Sequence, residues 1–183
     1  MNSRRKKSLG KKIRPVYYVF CEGNTEKTYI NFLKREYKIP IEIKSTVSKN
    51  RISQKYISEY LKGKPKSKKD RVFLLYDLDV PKMLIKLQSI KNVNLLVSNP
   101  AIELWFLLHH KNQTANISSE NCTKSLKKFW KDYKKGELKN SQFTGLIKNQ
   151  IKAENRAVKL IKFENPSSNI YEFIKILEEA SKN

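Results

Sequence analysis

The stretch PVYYVFCEGNTEKTYINFL, Pro15 to Leu33, changes periodicity in its middle. Val16 to Cys21 is β-branched and aromatic, the composition of a strand. From Thr25 to Tyr37 the large apolar residues Tyr29, Phe32, Leu33 and Tyr37 fall on one helical face. Asn24 or Thr25 can cap that helix, and Glu26 lies in its first turn, where the macrodipole favours an acid. The junction carries two carboxylates, Glu22 and Glu26, in a chain whose formal net charge is +22.

Working outward, the same alternation repeats. Ile41 to Val47 reads as a half-exposed strand. Arg51 to Leu61 reads as a helix with Ile52, Tyr56, Ile57 and Tyr60 inward. Gly63 to Asp70 (GKPKSKKD) has the turn residues and charge of a loop. Arg71 to Tyr76 (RVFLLY) is an almost unbroken apolar run, as required of a strand covered on both faces. It ends in Asp77-Leu78-Asp79. Pro81 opens a helix to about Ile90, Val93 to Val97 is a fourth strand, and Ser98-Asn99-Pro100 reads as the cap of the helix AIELWFLLHH. Helices over 119–133, 141–161 and 168–180 complete the chain. Strands joined by helical crossovers imply right-handed connections and a parallel sheet. The predicted class is therefore α/β, with a central parallel sheet of about four strands, flanking helices and a helical C-terminal part.

Residues 1–14 (MNSRRKKSLGKKIR) form a basic arm ahead of a single domain over 15–183. No apolar run approaches the roughly 20 residues that span a bilayer, which predicts a soluble, cytoplasmic protein without membrane partners. Cys21 and Cys122 are the only cysteines and lack disulfide or metal spacing, so both read as small core residues. The surplus of lysine costs folding stability through self-repulsion, and a polyanion such as nucleic acid is the usual partner of such a surface. A compositional bias toward Lys and Asn is the duller explanation.

In open parallel sheets, ligand sites form beyond the carboxyl ends of the strands. Glu22 with Glu26, and Asp77 with Asp79, all fall at such ends. If their strands are neighbours, these carboxylates converge and repel unless protons or cations neutralise them. Oxygen-only donors suit Mg²⁺ or Mn²⁺ better than zinc. Taken singly, each acid has a local explanation as a turn, a cap or a dipole-matched residue; the conjunction is what points to a site. Trp105 and its leucines read as core, and His109 and His110 as the cationic end of a helix.

The segments FCEGNTEKTYINFL, LLYDLDV, VSNPAIELWFLLHH and ENPSSNIYEFIKILEEA, in that order, resemble the RloB family of bacterial defence proteins over about residues 15–181. The S-N-P-x-x-E-x-W-x-L-L-H segment is the most specific of them. The resemblance implies a Toprim-type sheet. It implies Glu22 as general acid/base or metal ligand, Asp77 and Asp79 as holders of Mg²⁺ (or Mn²⁺), and Glu26 as a second-metal acid. Glu103 matches a further acidic position more loosely. It also implies a metal-dependent nuclease cutting DNA or RNA, tRNA included, within an anti-phage abortive-infection system that has an ATPase partner of RloA type. A non-catalytic nucleic-acid-binding subunit is the alternative. The family pattern often carries another acid after D-x-D, where Val80 stands here. Lys27, Lys64, Lys66, Lys68 and Lys69 are the expected contacts to the nucleic-acid backbone, and self-association is left open.

Overall fold

The computed structural model describes residues 14–182; all of the basic arm except Arg14 lies outside them. Strand β1 (Val16–Cys21) leads into α1 (Asn24–Tyr37), then β2 (Glu42–Val47), a short 3₁₀ turn (Lys49–Arg51) and α2 (Gln54–Leu61). After the lysine loop come β3 (Arg71–Asp77), α3 (Met83–Gln88), β4 (Asn94–Asn99) and α4 (Ile102–Leu108). The chain ends in α5 (Ser119–Lys127), α6 (Asn140–Ala157), the two-residue strand β5 (Ser167–Ser168) and α7 (Ile170–Ser181).

The sheet order is β2-β1-β3-β4-β5. The first four strands run parallel, and β5 pairs antiparallel with β4. The fold class expected from the sequence is thus the one observed, with one strand more. β5 escapes sequence reading because two serines carry no strand signal; Ser98 and Ser168 meet through their hydroxyls at 2.9 Å.

Side chains alternate across a strand, and both resulting sets are buried. Tyr17, Val19, Cys21, Phe73, Leu75 and Leu96 face the helices α1, α4, α6 and α7. Val16, Tyr18, Phe20, Leu74, Tyr76 and Val97 face α2 and α3. Both cysteines are free and buried. No helix among the described residues is long and apolar enough to cross a membrane.

Several local expectations are corrected. Neither Asn24 nor Thr25 caps α1; both lie within the helix, and Gly23 is the cap residue, its N–H held by Glu26. Ser98 and Asn99 do not cap α4; β4 continues through both, and the Asn99–Pro100 bond is cis. Ala101 is the cap residue, and its methyl group cannot accept a hydrogen bond. The first N–H of the helix, that of Ile102, instead donates to Asp77 Oδ1 at 2.8 Å. The cap comes from a neighbouring strand, which no local motif announces. The helices read as 119–133 and 141–161 also end sooner, at Lys127 and Ala157.

Leu74 is fully buried under α2 and α3, whereas Ile151 on α6 is 74% exposed. Leu74→Ala is expected to cost about 2–5 kcal/mol of stability in chemical denaturation. Ile151→Ala is expected to stay within about 0.5 kcal/mol of the parent.

Candidate functional site

The register of the central pair decides where the acids stand. Cys21 lies beside Leu75, and the ladder runs on through Glu22 N–H, which donates to Leu75 O at 3.0 Å. Glu22 therefore leaves β1 level with the end of β3. Its Oε2 accepts the Asp77 N–H at 2.9 Å, tying the two strand ends together.

Glu26, at the third position of α1, turns back so that its Oε2 accepts the Gly23 N–H at 2.8 Å. The close approach explains the glycine. A Cβ on residue 23 would sit 3.0 Å from that oxygen, although the extended backbone there suits any residue. Glu103, in the first turn of α4, is 1% exposed. Its Oε1 accepts the Tyr133 hydroxyl at 2.8 Å and lies 3.5 Å from Lys135 Nζ, while Oε2 is buried without a hydrogen-bond partner.

These side chains line one cleft of about 330 Å³. Glu22, Gly23, Asn24, Thr25 and Glu26 form one wall; Asp77 and Glu103, with Lys135 and Gly136, form the rest. Lys135 and Gly136 belong to the turn between α5 and α6. That turn is pinned to α1, because Gly136 N–H donates to Thr25 Oγ1 at 2.7 Å and Thr28 Oγ1 donates to Gly136 O at 3.3 Å.

Crowding leaves its mark on the acids. Burial first, then the field of Glu103 and Glu22, lifts the Glu26 carboxyl to about 7. Burial raises Asp77 well above the usual carboxylate range, and Glu26, Glu103 and Glu22 add to it, against the Ile102 N–H. Burial likewise raises Glu22, with Asp79 adding to it; the Asp77 N–H and Lys135 work in the other direction. For Lys135, burial works downward, but the attraction of Glu103, Asp77 and Asp79 prevails and holds the ammonium above its ordinary value.

Of the five acids expected from the sequence, Glu22, Glu26, Asp77 and Glu103 meet in the cleft. Asp79 is exposed outside its lining; its Oδ2 accepts the Ser119 hydroxyl at 3.0 Å, though its charge is felt at Glu22 and Lys135. Lys27 is half-buried on the first turn of α1 and does not line the cleft. Lys64, Lys66, Lys68 and Lys69 are not brought to it either. Their loop precedes β3, and Asp70 fastens it to the amino end of β1, accepting the N–H groups of Val16 and Ser67 at 2.8 Å each. β3 has seven residues, so the two ends of the sheet are about 20 Å apart. The histidines stand apart. His109 Nδ1–H donates to Trp105 O at 2.8 Å, and burial lowers its pKa to about 3. His110 stacks on Phe129.

Lys135, Tyr133 and Gly136 go unread in the sequence, and Thr25 reads only as a helix cap. Lys135 sits in the run KDYKKGELK, where nothing marks one lysine among several; only Gly136, at φ +83°, hints at a tight turn.

Glu22, Glu26, Asp77 and Glu103 are the residues that could hold a cation. They offer oxygen donors only, which suits a hard divalent ion, and Glu103 Oε2 is a buried oxygen in want of a partner. Among the described residues no three His, Cys, Asp or Glu side chains are already drawn into a ligand cage. Each acid gives an oxygen to a local donor instead.

A family model described as RloB-like protein matches residues 17–177. The chain belongs to the RloB-like family. No curated protein and no solved structure matches it. The match takes in all four cleft acids and Lys135, together with every strand of the sheet except the first residue of β1.

The raised carboxyls predict a pH dependence. Folded Glu26 keeps its proton to about pH 7, while the unfolded carboxyl loses it near its ordinary value. The folded state therefore binds more protons across that interval, and stability falls as pH rises through it. In chelator, the melting temperature is expected to drop between pH 5 and 8. Glu26→Gln, which keeps an acceptor for Gly23 N–H, is expected to flatten the drop by on the order of 2 kcal/mol.

Proposed function

We propose that this RloB-like chain is the metal-dependent nuclease component of a bacterial anti-phage system, cutting a phosphodiester of DNA or RNA, tRNA included. One observation carries the reading: four carboxylates, from the end of β1 and from α1, β3 and α4, converge with a single lysine in one cleft at the carboxyl edge of a mostly parallel sheet. Such a grouping is unfavourable as it stands, since three of these acids are pushed toward their protonated forms. A site of this kind is kept for a ligand that relieves it.

Glu22, Asp77 and Glu103 would hold Mg²⁺ or Mn²⁺, with Glu26 beside a second ion and Asp79 adding charge from outside. Bound there, a divalent cation supplies Lewis acidity toward a phosphate oxygen and makes water a stronger acid. The protein's own groups do the rest. Glu26, lifted to about 7, can take up or deliver a proton at neutral pH. Asp77 N–H fixes the Glu22 carboxylate, and Asp77 itself is oriented by the first N–H of α4. The basic surface would hold the nucleic-acid backbone without reading its sequence. An ATPase partner of RloA type and a cytoplasmic location belong to the same reading.

A second reading has one observation in its favour. Each cleft acid already satisfies a local donor, and no preformed cage exists among the described residues. On that reading the chain binds nucleic acid and acts only through its partner.

Incubating the purified protein with tRNA, single-stranded DNA and plasmid in Mg²⁺ or Mn²⁺ is expected to give cleavage that EDTA abolishes. Glu22→Gln and Asp77→Asn are expected to lower the rate by about 100-fold or more. Cleavage unchanged in both variants, or equal in EDTA, would overturn the nuclease reading. Unchanged toxicity of the same variants in cells would favour the binding subunit.

A further inference from the structure

Lys135 is the one cationic side chain among the lining residues of the cleft. Its side chain is 59% exposed, while that of its partner Glu103 is 1% exposed. The contact is loose, at 3.5 Å from Nζ to Glu103 Oε1. The two ends of this pair are anchored very differently. Glu103 Oε1 is held by the Tyr133 hydroxyl, and its Oε2 remains buried without a partner. The Lys135 backbone is steadied through Gly136, which exchanges hydrogen bonds with Thr25 and Thr28. The carboxylate and the backbone turn are thus fixed, and the flexible, mostly exposed stem of Lys135 is the one part of the pair free to leave.

We infer that Lys135 is a tethered counter-ion: it occupies the charge position of a divalent cation in the resting cleft and withdraws from Glu103 when such a cation binds. The inference rests on the proposed divalent-cation site and adds a regulation to it. The lysine and the ion compete for the same negative field, so each lowers the other's hold on the cleft. Two like charges cannot share a buried carboxylate cheaply. Withdrawal needs no backbone movement, since the tether is pinned to α1 and only side-chain torsions change. Lys135 is in this sense a positioning residue, acting on the acids and not on a reacting atom.

The test measures Mn²⁺ binding by electron paramagnetic resonance at pH 8 without any substrate. The proteins are wild type, Lys135→Met, Lys135→Gln, Lys135→Arg, Lys134→Met and Asp77→Asn. Lys134 is an exposed neighbour that does not line the cleft, so Lys134→Met removes the same unit of net charge without touching the pair. Lys135→Met and Lys135→Gln are expected to bind Mn²⁺ about 5-fold or more tightly than wild type. Lys135→Arg and Lys134→Met should bind like wild type, and Asp77→Asn should lose the site. Melting temperatures in chelator check that each variant is folded, and the Met and Gln variants serve as replicates of one another. Equal tightening in Lys134→Met would reduce the effect to net charge and overturn the inference. Unchanged or weaker binding in both Lys135 variants, with wild-type binding intact and Asp77-dependent, would overturn it while leaving the cation site standing. Absence of Mn²⁺ binding in every protein would remove the cation site and the inference together.

Discussion

The parallel pairing of β1 with β3, in the register that sets Cys21 beside Leu75, is the constraint on which the rest depends. Both strands are covered on both faces, so a one-residue slip would turn two sets of core side chains the wrong way at once. The same register brings Glu22 level with Asp77 and lets one carboxylate take the other's N–H. Burial that stabilises the sheet also withdraws water from the acids at its rim. The upward displacement of Glu22, Glu26 and Asp77 is thus a by-product of the core, aggravated by their mutual repulsion.

Charge is arranged unevenly on this molecule. The chain as a whole carries a net charge of +22, yet the cleft lining holds four carboxylates and one lysine. Long-range attraction of a polyanion and short-range attraction of a cation are therefore compatible, because they act over different distances. The lysine loop before β3 lies at the amino edge of the sheet, remote from the cleft. Its position follows from topology alone: in a parallel sheet, the segment that precedes a strand and the segment that follows it emerge at opposite edges.

Much of this was legible in the residues. The buried character of VYYVFC and RVFLLY marked two central strands, and the acids that follow each could be expected at carboxyl ends; that the two strands are neighbours is shown by the sheet order. What stayed hidden was non-local. Ser98-Asn99-Pro100 has the composition of a cap, yet β4 runs through it and Asp77 does the capping from another strand. Glu103 could be named only through family resemblance, because its burial beside Tyr133 depends on a turn about 30 residues away. Lys135 could not be singled out at all, being one of several lysines in a polar run whose fold is set by contacts with α1. Tertiary contacts of this kind leave no periodicity in a sequence.

The bond between Gly136 and Thr25 joins residues separated by 111 positions in the chain. One wall of the cleft is laid down by the first strand–helix unit; the rest comes from the end of β3, the first turn of α4 and the turn ahead of α6. Neither half of the polypeptide can assemble the pocket by itself. All four cleft carboxylates precede that turn in the chain, and the one lysine of the lining lies within it. The cleft is therefore a long-range assembly, in which the acids and the cation that offsets them come from separate stretches of the polypeptide.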